Sequence, residues 1–446
     1  MKKKLAEWLT WQEQLHLSKI DLGLDRIREV AKKLGILSTP FPIITIAGTN
    51  GKGSTVAFFE AILKAQGYKT GSYTSPHLIE YNERIKLNTQ NANDGLIVKA
   101  FEEIDQARGD ISLTYFEFGT LAAMLIFIQQ KVDVAILEVG LGGRLDAANL
   151  WDTSLAVITS IGIDHVDWLG DDREIIAVEK SGIMRKGIPV ICGDLDPPDA
   201  IANEAKRIGS TLFQINTNFS YKNNNDETWD WKGFEQTFQL PIPTLAGEFQ
   251  LNNATTVIAG LRAIYKILPA SKDNIIQGLK TASLAGRLQV INHHPEWLID
   301  VAHNPHAAKQ LAKFLEKNPS EEDTIALFSM FKDKDISQVI STINPYIDEW
   351  HIVELEGKRS AKINELKEAI SQQNNSDGMN KKIIIHQSFL DATLSLKTSC
   401  NLKDRVVAFG SFLVVSEVIK SCDQVYGRCN SSNQYHNHQN TLKDRT

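Results

Sequence analysis

The sequence has little cysteine, and its cysteines are far apart. Four of the 446 residues are cysteines: Cys192, Cys400, Cys422 and Cys429. No two of them form a C-x-x-C pair, which argues against a disulfide framework and indicates a reducing compartment. His436 and His438 lie near the last two cysteines, but their spacing fits no ordinary zinc pattern, so we expect no zinc site.

The sequence also lacks a membrane segment and a strong charge of one sign. Its longest apolar stretch, residues 118–128, is shorter than the roughly 20 residues of a membrane-spanning helix. The basic N-terminus is followed by polar sequence rather than by the apolar core of a signal peptide. The net charge of −6 argues against a nucleic-acid binder that works through bulk charge. We therefore expect a cytoplasmic protein with no nucleic-acid or membrane partner.

One stretch near the N-terminus has the form strand, glycine loop, helix. Residues 43–47 are an uncharged, β-branched run, which is typical of a strand buried in a parallel sheet. The loop GTNGKGS at residues 48–54 follows, and residues 55–66 have a helical pattern. Glycines let backbone N–H groups approach phosphate oxygens, and the helix N-terminus and Lys52 add positive charge. The pattern predicts a phosphate site, although Ile46 replaces the first glycine of the usual motif and Gly53 separates Lys52 from Ser54.

The rest of the chain alternates strands with helices, which predicts a doubly wound α/β fold. Two helices precede the phosphate loop, and short antiparallel strands are expected between residues 211 and 240. A second α/β series begins near residue 286. We predict a P-loop-containing, doubly wound central domain over residues 1–286 and a smaller Rossmann-like α/β domain over residues 287–425. The polar, Asn-rich residues 426–446 are expected to be a disordered tail.

Polar residues follow several predicted strands, where the sheet edge would gather them beside Lys52. Ser75 and Glu138 lie at strand ends and could supply oxygen ligands to a magnesium ion. Taken singly, Ser75 is more simply a turn serine and His165 a loop histidine, whereas for Glu138 a buried, paired carboxylate is the less favoured alternative to a ligand. Lys180 follows on a helix, and from its residue type alone we expect it to be solvated.

Two further polar segments, residues 140–146 and 300–306, each have two interpretations, and Arg287 lies between them in the sequence. The loop at residues 140–146 is either a flexible connection, or it carries Arg144 and Asp146 to hold a polar substrate near the phosphates. In the second domain, Arg287 could reach a phosphate across a cleft. The segment DVAHNPH at residues 300–306 either offers Asp300 to ribose hydroxyls or is only a helix cap and turn.

The motifs together resemble a known family. GTNGKGS (48–54), SPHL (75–78), ERI (83–85), TYFEFGT (114–120), LEVGLGGRLDA (137–147) and DVAHNPH (300–306) occur in this order. This pattern resembles the Mur ligase superfamily of ATP-dependent amide ligases and, within it, the folate branch of bifunctional dihydrofolate synthase/folylpolyglutamate synthases. The likeness runs from about residue 11 to about residue 425.

The resemblance implies roles for individual residues. Lys52, Lys180 and His165 would be catalytic. One magnesium ion would bind Ser75 and Glu138, and a second would bind His165 and Lys180, the latter carbamylated because an ammonium cannot ligate a cation. ATP would contact Thr49, Asn50, Gly51, Lys52, Gly53, Ser54, Asn253, Arg287 and Asp300. The pterin-bearing substrate would contact Lys19, Ile20, Asp21, Thr114, Tyr115, Phe116, Glu117, Leu145, Asp146 and Ala147.

The implied reaction uses ATP to convert the carboxylate of dihydropteroate or of a folate into an acyl phosphate, which the amine of L-glutamate then attacks. We expect a monomer. One alternative is another Mur-type ligase, such as a peptidoglycan precursor enzyme. A second is a nucleotide switch, since residues 167–170 match D-x-x-G; however, the guanine-reading N-K-x-D is absent, because Ile383 follows Asn380-Lys381-Lys382.

Overall fold

The structure is a computed structural model that describes residues 3–16, 18, 20–224, 227–376, 378 and 380–427. The chain divides into two compact units. The first groups residues 1–243 with 249–282, and the second groups residues 244–248 with the chain from Ser283 onward. Most of the predicted tail, residues 428–446, lies outside the described residues. Tyr426, which the prediction placed in the tail, is the last residue of a helix.

The elements of the first unit follow the predicted alternation. Its helices are α1 (Leu5–Leu15), α2 (Asp25–Lys33), α3 (Lys52–Ala65), α4 (Asp94–Arg108), α5 (Tyr115–Gln129), α6 (Val166–Leu169), α7 (Arg173–Ser181), α8 (Asp199–Ile208), α9 (Phe249–Ala263) and α10 (Lys272–Thr281). Its strands are β1 (Ile43–Ala47), β2 (Thr70–Tyr73), β3 (Ile85–Leu87), β4 (Gln90–Asn91), β5 (Val134–Glu138), β6 (Leu155–Ile158), β7 (Pro189–Cys192), β8 (Thr211–Gln214), β9 (Phe219–Asn223), β10 (Thr228–Gly233) and β11 (Gln236–Pro241).

The main sheet of the first unit positions the phosphate loop. Its eight described strands lie in the order β4-β3-β2-β5-β1-β6-β7-β8. All neighbours pair in parallel except β3, which is antiparallel to both β2 and β4. Strands β1 and β5 are buried along their whole length, as their apolar, β-branched sequences predict. Ile46 of β1 pairs with Glu138 of β5, so the loop after β1 begins beside the carboxyl end of β5.

Helix α5 forms much of the core on the side of the N-terminal helices. Its sequence has one charged residue, Glu117, and nearly every position is buried. It packs against α1, α2 and α4. Strands β3 and β4 and helix α4 were not predicted from the sequence, because they are short or weakly patterned.

The expectation of antiparallel strands over residues 211–240 was partly wrong. Strand β8 pairs in parallel with β7 at the edge of the main sheet, because helix α8 forms a βαβ crossover between them. Strands β9, β10 and β11 form the expected antiparallel sheet, in the order β11-β10-β9. Trp229 and Trp231 of β10 are fully buried.

The second unit is a separate α/β layer structure. Its strands are β12 (Gln289–His293), β13 (Glu296–Ile299), β14 (Thr324–Phe328), β15 (Glu349–Val353), β16 (Lys382–His386) and β17 (Arg405–Phe409). Its helices are α11 (Pro305–Lys317), α12 (Ile336–Ile343), α13 (Ile363–Ser376), α14 (Phe389–Ser399) and α15 (Phe412–Tyr426). The sheet order among the described residues is β12-β13-β17-β14-β15-β16, and β12 alone runs antiparallel to its neighbour. The predicted α/β fold class is confirmed.

No helix within the described ranges is long and apolar enough to cross a membrane.

Candidate functional site

The phosphate loop is held in one conformation by its glycines and by a neighbouring loop. Gly51 has a positive φ of 88° and caps the N-terminus of α3, so the helix starts at Lys52, three residues earlier than the pattern predicts. Gly48 has φ +151°, and a Cβ there would lie 1.9 Å from Thr159 Oγ1. The Thr49 N–H donates to the Ser160 carbonyl at 2.7 Å. Only glycine at position 48 permits this close approach of the two loops.

Helix α9 contacts the same loop through the side chains of Gln250 and Asn253. The Gln250 side chain donates to Ser54 Oγ at 3.2 Å and accepts from the Asn253 amide at 2.9 Å. Asn253 Oδ1 would lie 2.7 Å from a Cβ at Gly51. All these groups are buried or half-buried. The predicted ATP contact Asn253 thus lies against the phosphate loop.

Two lysines converge on one carbonyl of the loop. Lys52 Nζ donates to the Gly48 carbonyl at 2.9 Å and to the Thr49 carbonyl at 3.2 Å. Lys180 Nζ donates to the same Gly48 carbonyl at 3.1 Å. Burial and the charge of Lys52 lower the pKa of Lys180 to about 7, against the opposing pull of Asp164 and Asp146. Lys180 is therefore a buried amine that loses its proton more easily than an ordinary lysine.

The expectation of a solvated Lys180 was wrong, because its residue is only 5% exposed. The reason is the close approach of α7 to the loop that follows β5. A Cβ at Gly143 would lie 2.7 Å from the Glu179 carbonyl, and one at Gly182 would lie 2.4 Å from Arg144 Cα. These two glycines let the loop cover the end of α7 and enclose Lys180.

The strand ends bring Ser75 and Glu138 together as predicted. Glu138 is 5% exposed, and the Ser75 N–H approaches its Oε2 to 3.4 Å. His165 is exposed and in the left-handed region, with φ +53°, at the start of α6. Its N–H donates to Asp164 Oδ1 at 2.7 Å, and the Asp164 charge in turn acts on Lys180. Asp164 thus contacts the backbone of His165, and its charge opposes the lowering of the Lys180 pKa.

The segment after Ser75 is fixed by its own charged residues. The Glu83 carboxylate accepts the backbone N–H groups of residues 78–80, each at 2.8 Å. The Arg84 Nε–H donates to His77 Nδ1 at 2.8 Å. Burial and the Arg84 charge lower the pKa of His77 to about 4. The motif SPHL with ERI is thus one folded loop that orients Ser75.

The loop at residues 140–147 is well anchored. Asp146 is 2% exposed and accepts the N–H groups of Leu141 and Ala148, each at 2.9 Å. Burial raises the pKa of Asp146 to about 6, although these hydrogen bonds and Lys52 act against the rise. Arg144 pairs with Glu179 at 2.8 Å. The interpretation as a flexible connection was wrong, and Arg144 is engaged within the protein.

The predicted substrate residues at the N-terminus of α5 form a capping box. Thr114 Oγ1 accepts the Glu117 N–H at 3.2 Å, and Glu117 Oε2 accepts the Thr114 N–H at 2.8 Å. The ring of Tyr115 meets Tyr81 edge to face at 5.7 Å, and the ring of Phe116 lies 5.8 Å from that of Tyr73. These rings make an aromatic wall near the end of β5, since a Cβ at Gly140 would lie 2.8 Å from Phe116.

The remaining predicted substrate residues are placed as follows. Asp21 and Glu117 are joined through the guanidinium of Arg26. Ile20 is 36% exposed, Leu145 is half-buried and Ala147 is buried. Lys19 lies outside the described residues.

Comparison with known proteins decides the family. The sequence profile of the Mur ligase middle domain matches residues 46–261, and that of the Mur ligase glutamate ligase domain matches residues 286–412. The dihydrofolate synthase/folylpolyglutamate synthase of Escherichia coli strain K12 is 41% identical over 420 residues, which cover 94% of this chain and 96% of that protein. The chain belongs to the dihydrofolate synthase/folylpolyglutamate synthase family of Mur ligases.

Solved structures agree with this membership. A structure of E. coli FolC in complex with DHPP and ADP has a TM-score of 0.89 and 40% identity, covering 95% of this chain and 99% of that one. A bifunctional folylpolyglutamate synthase/dihydrofolate synthase with Mn, AMPPNP and L-glutamate bound has a TM-score of 0.85 and 40% identity, covering 94% and 98%. As a Mur ligase, the chain is an ATP-dependent, amide-bond-forming enzyme, and the resemblance inferred from its motifs is confirmed.

In this folate ligase, the second unit holds the other two predicted ATP contacts. Asp300 is 7% exposed and accepts the N–H groups of Leu288 and Ala302 at 2.9 and 2.8 Å. Burial raises the pKa of Asp300, and Arg287 is the strongest opposing influence. The Arg287 guanidinium lies 5.1 Å from the ring centre of Phe412.

The helix-cap interpretation of residues 300–306 applies to part of that segment. Asn304 caps α11 by accepting the Ala307 N–H at 2.9 Å, and Pro305 is the first helical residue. Asp300 is engaged with backbone N–H groups, so the segment combines a cap with a buried carboxylate.

Three residues around the folate ligase site were missed from the sequence: Asp164, Gln250 and Arg26. Asp164 could have been identified from the sequence, since it directly precedes His165 after a predicted strand. Gln250 is one of several polar residues in helix α9, so its sequence did not mark it out. Nothing in the sequence pointed to Arg26 as part of the site, because an arginine on an amphipathic helix is usually solvated.

Proposed function

We propose that this chain joins L-glutamate to dihydropteroate and to the γ-carboxylate of folates, using ATP. The observation that carries the proposal is the convergence of Lys52 and Lys180 on the Gly48 carbonyl, beside the carboxyl end of β5. The charge of Lys52 at the N-terminus of α3 suits ATP phosphates, and Lys180 is the buried amine beside it. The relatives that carry both activity names are similar over nearly their whole length, which supports both substrates.

We propose that Lys52 and the backbone N–H groups of residues 51–54 hold the phosphates of ATP, with Thr49 and Asn50 as further contacts of the same loop. The carboxylate oxygen of the pterin substrate attacks the γ-phosphorus, and ADP leaves with the electrons of the broken P–O bond. The glutamate amine then attacks the acyl carbon and phosphate departs, which forms the amide. Lys52 offsets charge where the anionic groups meet, and orientation supplies much of the remaining acceleration. Asn253, Arg287 and Asp300 are proposed as further ATP contacts.

A divalent cation fits the residues at the strand ends. The Ser75 hydroxyl and the Glu138 carboxylate are oxygen donors, which magnesium prefers, and they belong to neighbouring strand ends. The related structure with Mn and AMPPNP bound supports a divalent ion together with ATP. Such an ion would neutralise phosphate charge at this edge.

A second cation at His165 and Lys180 requires a modified lysine. We propose that Lys180 is carbamylated, since a carbamate is an anionic oxygen ligand and an ammonium is not. Carbamate formation needs an uncharged amine, and burial beside Lys52 favours that form. Without the carbamate, the residues at this position do not fit a second cation.

The proposed substrate contacts are residues 19–21, 114–117 and 145–147. The aromatic wall of Tyr115 and Phe116 supports a planar pterin, because flat rings stack on or meet such side chains edge to face. We also propose a monomer in the cytoplasm, which light scattering and cell fractionation test.

The test of the function is ADP release with dihydropteroate and, separately, with tetrahydrofolate, each with and without L-glutamate. We expect release with both pterin substrates and a strong dependence on glutamate. Another Mur-type ligase would accept neither pterin, and a nucleotide switch would release ADP or GDP without glutamate. Either outcome would refute the proposal.

A further inference from the structure

One arginine outside the predicted contact residues connects two of the predicted substrate segments. Arg26 lies in the first turn of α2 and is 29% exposed by side chain. Its Nη1 lies 2.7 Å from Asp21 Oδ2, and its Nη2 donates to the Asp21 carbonyl at 2.8 Å. Nη2 also approaches Glu117 Oε1 to 3.3 Å. One guanidinium therefore touches residues 96 positions apart that both belong to proposed pterin-contact segments.

The Glu117 end of this connection is nearly inaccessible to solvent. The Glu117 side chain is 4% exposed. Its second oxygen accepts the Thr114 N–H and so fixes the N-terminus of α5. Arg26 faces the remaining oxygen, Oε1. Because a buried carboxylate is costly without a charged or hydrogen-bonding partner, Arg26 contributes to the placement of residues 114–117.

The Asp21 carboxylate also contacts a histidine. His16 Nε2 lies 3.1 Å from Asp21 Oδ2, the same oxygen that Arg26 contacts, and His16 Nδ1 lies 2.6 Å from Ser112 Oγ. The Ser112 hydroxyl also approaches the Leu15 carbonyl at 3.3 Å. Asp21 is thus tied to α2 through Arg26 and to the segment before α5 through His16 and Ser112.

We propose that Arg26 is a positioning residue that sets the distance between residues 20–21 and residues 114–117 for the pterin-bearing substrate. This inference rests on the proposed function, since it needs those segments to contact the pterin. A bidentate guanidinium suits the role because its donors are fixed in one plane and reach two partners at defined angles. A lysine keeps the charge but offers a single, flexible donor group.

The alternative is that Arg26 only stabilises the packing of α2 on α5. The two roles differ in what they affect. A positioning residue affects the KM for the pterin substrate, while ATP binding at the phosphate loop stays unchanged. A purely structural residue affects stability and lowers the activity with all substrates together.

The experiment compares wild type with Arg26→Gln, Arg26→Lys and the matched control Arg28→Gln. Arg28 is exposed on the same helix. We expect Arg26→Gln to raise the KM for dihydropteroate by about 10-fold or more, while kcat and the KM for ATP change by less than about 3-fold. Arg26→Lys should fall between wild type and Arg26→Gln, and Arg28→Gln should behave as wild type. Thermal unfolding of each variant separates lost stability from lost positioning.

A double-variant series covers the case in which Arg26→Gln does not fold. Asp21 is 40% exposed by side chain, so Asp21→Asn should fold. We expect Asp21→Asn to raise the KM for dihydropteroate and its effect to be less than additive with that of Arg26→Lys, because both disturb one contact.

The outcomes that overturn the inference are distinct from those that overturn the function. An unchanged KM for dihydropteroate in the Arg26 and Asp21 variants, or equal increases in the KM values for dihydropteroate and ATP, would refute the positioning role alone. A wild-type enzyme with no dihydropteroate-dependent ADP release would refute the proposed function instead.

Discussion

Two lysine side-chain nitrogens meet at one carbonyl oxygen of the phosphate loop. Lys52 and Lys180 both donate to the Gly48 carbonyl. Their mutual repulsion contributes to the lowered pKa of Lys180, and burial contributes more. An anion bound at the loop would relieve this repulsion. This arrangement suits Lys52 to phosphate binding and leaves Lys180 as the amine available for carbamylation.

Lys52→Ala tests the shared phosphate contact. The variant should lose about 100-fold or more in kcat for both pterin substrates, because a charge aimed at the reacting phosphates is removed. ADP release measured with dihydropteroate and with tetrahydrofolate checks this. Lys64→Ala, a change on the exposed end of the same helix, is the control. Near-normal turnover with either substrate in Lys52→Ala would show that the loop lysine is not the shared contact.

Lys180→Ala tests the carbamate. We expect a loss of activity of about 100-fold, partly restored by short carboxylic acids that replace the missing anionic oxygen ligand. Alanine at the exposed Lys186 should neither lose activity nor respond to the acids. The intact mass of the wild type should show one added CO₂. An unmodified Lys180 in active enzyme would count against the modification.

For single residues, the sequence predicts which side chains meet at the sheet edge better than it predicts how deeply each side chain is buried. Ser75 and Glu138 were expected beside each other because parallel strands end at one sheet edge, and they lie together. The burial of Lys180 could not be predicted from its own helix. It depends on close contacts at Gly143 and Gly182, which join segments that are distant in sequence.

Among the elements, helix α3 begins inside the phosphate loop and so adds its N-terminal charge to that of Lys52. It starts at Lys52, directly after Gly51 in the left-handed conformation. This early start puts the lysine in the first helical turn, where free backbone N–H groups and the helix dipole add to its charge. The helix ends near Gly67, which also has a positive φ, of 101°.

These two glycines offer a matched pair of substitutions. Gly51→Ala introduces strain and also places a Cβ 2.7 Å from Asn253 Oδ1, whereas Gly67→Ala meets nothing within 4 Å. Both should lower stability by roughly 1 kcal/mol or more, because alanine is strained at positive φ. Only Gly51→Ala should weaken ATP binding, which titration with a non-hydrolysable ATP analogue measures. Equal ATP affinities in the two variants would show that the contact with Asn253 is unimportant.

The elements themselves were largely predictable. The second unit alternates strands with helices from Gln289 onward, close to residue 286 where the second α/β series was predicted to begin, because buried β-branched runs between helices are a strong pattern. Strands β3 and β4, of three and two residues, are too short to show a period. Strand β8 was expected to be antiparallel but pairs in parallel with β7, since the direction of pairing depends on the crossover through α8 and not on local sequence.

On the scale of the whole molecule, each of the two units has its own buried apolar residues. The second unit contains a buried pair of histidines on neighbouring edge strands, His351 and His386. Their rings are stacked, and His351 Nδ1 lies 2.7 Å from His386 Nε2. Two nitrogens at this distance share one proton, so full protonation of both rings would place two donors against each other.

This pair predicts acid sensitivity of the second unit. Burial lowers the pKa of His351 from 6.5, His386 adds to the lowering, and the hydrogen bond to Glu349 opposes it. Lys382 and Asp391 also face the pair. Because the folded state resists a proton that the unfolded state accepts, the stabilisation by neutral His351 is complete above pH 6.5 and is lost as the pH falls below it.

Urea unfolding at pH 7.5 and pH 5.5 checks this expectation in wild type, in His351→Gln and in the control His294→Gln. His294 is an exposed histidine of the same unit. His351→Gln should be less stable than wild type at pH 7.5, because the buried contact is disturbed, but it should lose less free energy of unfolding between the two pH values. His294→Gln should follow the wild type. If His351→Gln lost as much stability on acidification as wild type, the acid sensitivity would have to come from groups other than the buried pair.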